Sequence, residues 1–179
     1  PVQPLLLAGM LIASAVAVWI KPVIALLIIP AALPILDLAP WSGRFYLDEF
    51  DALLALTLAV GYVRTAPASE PWQPLVKAAL VLLGVSFVLS TLRALFPWQP
   101  IDENAFITYF SPYNALRISK GLLWAVLFAS LARRLASAEK SAFRWFAWGM
   151  TLGLAANTVS EADYAVWLRR NAEAVRPGG

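Results

Sequence analysis

Three carboxylates and an arginine fall within one short stretch, Trp41-Ser-Gly-Arg44-Phe-Tyr-Leu-Asp48-Glu49-Phe-Asp51, just ahead of an apolar run. Paired carboxylates can divide acid and base roles when their surroundings separate their pKa values. Asp48, Glu49 and Asp51 would equally suit the positive end of a following helix, and that plainer reading takes precedence for adjacent acids at a membrane boundary. A second set, Tyr113-Asn114-Ala-Leu-Arg117-Ile-Ser-Lys120-Gly121, places Arg117 and Lys120 three residues apart and so on one helical face. Backbone donors at the start of that helix favour anions, which makes Asn114, Arg117 and Lys120 a candidate site for a lipid phosphate or pyrophosphate. Snorkelling of both basic side chains into headgroups is the simpler use. A third set, Arg133, Arg134, Lys140 and Arg144, is a basic cluster suited to fixing topology on the cytoplasmic side and touching anionic lipid.

What is missing narrows the chemistry further. With no cysteine, disulfides, thiolate metal sites, iron–sulfur clusters and cysteine nucleophiles are excluded together. With no histidine, the commonest general base and the usual axial ligand of haem are gone as well. No catalytic residue, metal site or cofactor is therefore assigned.

The elements that must carry these residues are long apolar runs. Pro4 to Ile20 and Val23 to Leu38 flank Lys21-Pro22 and read as a tight helical hairpin, with Pro30 and Pro34 kinking its second arm and freeing carbonyls that neighbouring helices must satisfy. Phe50 to Val63 is a short third run. Pro74 to Phe96, the longest, lies between two copies of Pro-Trp-Gln-Pro, at Pro71 to Pro74 and Pro97 to Pro100. Ser111-Pro112 is expected to cap a fifth helix that crosses between Ile118 and Ala132. Phe143 to Ala156 is a sixth segment of marginal length, and its Gly149-x-x-x-Gly153 pattern suits close helix contact. From Thr158 onward the chain turns polar.

Sixty per cent of the 179 residues are hydrophobic and 14% are charged, which places the chain among integral membrane proteins. The expected fold is all-α: a polytopic transmembrane helical bundle of about six spans over residues 1–157, followed by a polar tail over 158–179. The net charge of +3 gives no reason to expect nucleic acid as a partner. Leaving the tail aside, seven basic residues (Lys21, Arg64, Lys77, Arg133, Arg134, Lys140, Arg144) would lie on one side and four (Arg44, Arg93, Arg117, Lys120) on the other. The positive-inside rule then puts the first group in the cytoplasm and the acidic, aromatic connections outside.

Three segments also carry a resemblance: Leu38 to Asp51, Ser111 to Gly121, and Trp148-Gly-Met-Thr-Leu-Gly-Leu154. Together they resemble the amino-terminal half of O-antigen ligase or polymerase-like bacterial membrane proteins. The resemblance implies a multi-pass protein of the bacterial inner membrane, related to proteins that act on undecaprenyl-pyrophosphate-linked sugars. That substrate would suit Arg117 and Lys120. The family's proposed catalytic arginines and histidine lie in an external loop of its later half, which has no counterpart here, so the chain is expected to be a half-length relative or a fragment and not an enzyme on its own. Two roles follow. One is a non-catalytic accessory or structural subunit of a larger membrane assembly, with membrane lipid and other subunits as partners. The alternative is a lipid-linked polysaccharide handling protein that binds a polyprenyl-linked glycan.

Overall fold

In the computed structural model, residues 2–36, 47–68, 71–98, 100–101, 105 and 111–174 are described, and every regular element among them is helical. Helix α1 covers Val2–Ile20 and stops at Lys21-Pro22, because a proline cannot continue the hydrogen-bond ladder. A single 3-10 turn, Pro22–Ile24, leads into α2, Ala25–Leu36. Helix α3 runs from Glu49 to Arg64, α4 from Pro74 to Leu95, α5 from Asn114 to Ala138 and α6 from Ala142 to Ala174.

Of the six spans expected, two reach the length and apolarity needed to cross a bilayer: α4 with 22 residues and α5 with 25. The apolar parts of α1 and α2 are shorter, and α3 has 16 residues, or about 24 Å of helix. In α6 the apolar half is diluted by Arg144 and Thr151 and by tryptophans and glycines, and the helix continues without a break to Ala174. Helix α5 also starts later than its Ser-Pro pair suggests. Ser111-Pro112-Tyr113 forms a turn, in which the Ser111 carbonyl accepts from the Asn114 amide at 3.0 Å, before the helix opens at Asn114.

The helices alternate in direction. The ends of α1 and α3 meet where Arg64 Nε donates to the Trp19 carbonyl at 3.0 Å. Arg134, near the end of α5, stacks on Tyr62 of α3 at 4.5 Å, and the Tyr62 hydroxyl donates to the Leu127 carbonyl of α5 at 2.8 Å. α4 turns back against α5, where Leu95 packs on Tyr113 and Leu116. Val18, Leu26, Ile29, Leu54, Leu58, Leu131 and Leu135 form the core shared by α1, α2, α3 and α5, with Ala142 joining α6 to it.

The most extensive helix contact is between α2 and α6, and it shows why both need their unusual residues. Pro30 and Pro34 supply no N–H to the carbonyls of Leu26 and Pro30, four residues earlier. Those carbonyls face the glycines of α6. A Cβ built on Gly149 would lie 2.6 Å from the Leu27 oxygen and 2.9 Å from that of Leu26, and one on Gly153 would lie 2.6 Å from the Pro30 oxygen. Only a residue without a side chain fits, and its Cα hydrogens can offer weak C–H···O contacts to the freed carbonyls.

Candidate functional site

The acidic and basic sets of the sequence converge between the starts of α3 and α5. Asp48 caps α3 by accepting the Asp51 amide on Oδ1 at 2.9 Å, and Asp51 Oδ2 accepts the Asp48 amide in return at 3.0 Å. This reciprocal capping box satisfies two amides that a helix start leaves orphaned. The same carboxylate reaches α5. Its Oδ2 pairs with the Lys120 ammonium, and its Oδ1 accepts from the Trp124 indole N–H at 2.7 Å. Asp51 is 3% exposed and Glu49 likewise, so the helix-start role expected of this cluster is combined with burial.

Lys120 and Trp124 sit one helical turn apart on α5, and Arg117 precedes them on the same face. Beside the network opens a cleft of about 370 Å³. Asp48, Asp51, Arg117 and Lys120 form its polar part, and Ile29, Leu33, Leu54 and Phe128 are among its apolar walls. Gly121 and Ala125 are small residues on the α5 wall of the cleft. Burial pushes the Asp48 carboxyl above its ordinary value of 3.8, and the neighbouring Asp51 charge adds to the rise. The Asp51 amide and the Lys120 charge oppose it. Arg117 and Lys120 stand there against Asp48 and Asp51, with Lys120 paired to Asp51. Such a recess can receive an anionic head while its walls cover the first part of an apolar tail.

The predicted site residues divide as follows. Arg117 and Lys120 line the cleft together with Asp48 and Asp51, while Asn114 opens α5 one turn earlier and is not among the lining residues. Glu49 is buried in the first turn of α3, and Arg44 lies outside the described residues. The basic cluster is at the opposite end of the bundle. There Arg133 stacks on Trp72 at 3.9 Å, Arg134 on Tyr62, Lys140 is exposed, and Arg144 lines a separate groove with Lys21. Sequence reasoning missed Trp124. Its spacing of four from Lys120 on a helix was the available signal, and the Asp51–Lys120 pairing across 69 positions had none. Among the described residues no three acids are gathered in a way that would hold a metal ion. In comparison with known proteins, the chain matches no family model, no curated protein and no solved structure.

Proposed function

We propose that the protein is a multi-span helical membrane protein of about six spans that holds the head of a lipid-linked anion, of the polyprenyl pyrophosphate class, without transforming it. The observation that carries this reading is the α3–α5 cleft, where Arg117 and Lys120 stand at one end of an apolar recess. A pyrophosphate would accept from both cations, and the isoprenoid would cover Leu33, Leu54 and Phe128. The shorter apolar helices share one core with α5 in a bundle whose direction alternates, which favours passage of more than two helices through the bilayer. The resemblance to O-antigen ligase-like proteins points to the same substrate class and to the bacterial inner membrane. By the positive-inside rule the cleft end faces outward, where lipid-linked sugars are assembled into polymers.

Binding of farnesyl pyrophosphate to the purified full chain tests the proposal, with farnesol and inorganic pyrophosphate as the head-free and tail-free controls. Farnesyl pyrophosphate should bind far better than either control, and Arg117→Ala should weaken it about tenfold through loss of a charge-assisted contact. Unchanged affinity in Arg117→Ala would remove the site. Lys120→Ala is the poorer probe, because it also strips Asp51 of its partner.

A second reading, a structural subunit of a larger assembly, is favoured by α4. That helix packs on α5 and exposes Leu75, Val81, Leu82, Val85, Val88 and Leu89. A defined set of comigrating chains in mild detergent supports this reading, and a homogeneous lone species counts against it.

A further inference from the structure

At the other end of the bundle, the α1–α2 turn and the start of α6 enclose a groove of about 450 Å³ lined by Lys21, Leu27, Ser141, Arg144, Trp145, Trp148 and Leu152. We propose that this groove is a site for one anionic phospholipid, its phosphate held between Lys21 and Arg144 and an acyl chain laid along Leu27, Trp148 and Leu152.

The charged end of the groove is built, not scattered. Lys21 Nζ lies 5.0 Å above the centre of the Trp145 ring and 3.7 Å from Glu139 Oε1. The Ser141 hydroxyl donates to the same Glu139 oxygen. Lys21 keeps 48% of its side-chain surface open, so a second anion can reach it. Among the described residues of this end, Glu139 is the acid that stands against Lys21, Arg133, Arg134, Lys140 and Arg144. Arg133 and Arg134 are engaged by Trp72, Tyr62 and the Thr65 carbonyl. Lys21 and Arg144 are the cations that face the groove.

The apolar part selects a lipid over a soluble anion. Trp148 and Leu152 are one helical turn apart, 62% and 49% exposed, and continue from the basic mouth along α6. An indole beside a cation is the arrangement that sits at a headgroup boundary, with the ring in the interface and the chain below it. A free phosphate would gain nothing from that strip. The groove shares no residue with the α3–α5 cleft, so the two sites stand or fall separately.

The test is native mass spectrometry of the full chain in mild detergent, titrated with phosphatidylglycerol, with phosphatidylcholine and with inorganic phosphate. One phosphatidylglycerol should be retained in preference to phosphatidylcholine, and inorganic phosphate should not displace it. Arg144→Gln should weaken retention about fivefold, the effect of one basic residue at an anionic headgroup. Trp148→Ala should weaken it without unfolding the protein, since that ring is largely exposed. Arg93→Gln, at an exposed basic residue that lines neither recess, should retain phosphatidylglycerol as the unaltered chain does. Equal retention of the two lipids, displacement by phosphate, or an Arg144→Gln variant indistinguishable from the parent would each overturn the site. Loss in Arg117→Ala with no loss in Arg144→Gln would overturn it too, by moving the lipid to the other cleft.

Discussion

Asp51 joins three structural demands in one carboxylate: it accepts the Asp48 amide, the Trp124 indole and the Lys120 ammonium. Because the pair is buried, its two halves are not equivalent to a surface ion pair. Lys120→Met should destabilise the fold by about 3–5 kcal/mol, since it leaves a buried charge uncompensated. Adding Asp51→Asn should recover much of that loss, as an uncharged Asn keeps an acceptor for the Asp48 amide. Thermal denaturation in detergent decides the point, and a double variant no more stable than the single would sink it. Asp48 gives a pH prediction of opposite sense to an ordinary salt-bridged acid. Its carboxyl is raised by burial and by Asp51, so between 3.8 and its folded pKa the folded chain holds a proton that the unfolded chain has lost. Stability from this group is therefore greatest at the acid side and falls as pH rises through that window. Asp48→Asn preserves a good cap and should flatten this part of the melting curve on the alkaline side of 3.8. An unchanged slope would show that other groups set it.

At the scale of elements, α2 and α6 depend on each other. Two prolines open carbonyls on one helix, and two glycines bring the other close enough to cover them. Gly149→Ala must push against the backbone of α2, not a yielding side chain, and should cost about 1–3 kcal/mol as overpacking. Gly84→Ala on α4 is the control. A Cβ there meets nothing within 4 Å, so the change should be neutral or, through helix propensity, stabilising by up to about 1 kcal/mol. The ratio of the two melting shifts is the measurement, and equal shifts would mean that α6 can slide off α2 at no cost. Helix α4 is the opposite kind of element. It buries Leu95 near its end, and the Thr91 and Ser119 hydroxyls, in contact with each other, tie it to α5.

The molecule as a whole is two-ended: an acidic cap with a cleft at one end, and a basic rim with a groove at the other. Because the chain has no cysteine, single introduced thiols report their own side of a membrane without background. Ser137→Cys at the basic end should label from the cytoplasm, and Ile101→Cys, beyond α4, from outside. Labelling of both from one side would contradict the alternating passage proposed for the helices. Much of this was legible in the sequence, because burial and helix termination act locally. Lys21-Pro22 ended α1, Pro74 opened α4, and the apolar runs fixed an all-helical chain. Pro30, Pro34, Gly149 and Gly153 each announced a close neighbour, but not that they were neighbours of one another. Asp51 and Lys120 were both visible as charged residues near helix starts, and local spacing assigned them to separate groups. Their pairing, the burial it imposes and the cleft beside it arise only when α3 and α5 lie side by side. A contact across 69 positions depends on how helices pack, and no local pattern of residue types encodes it.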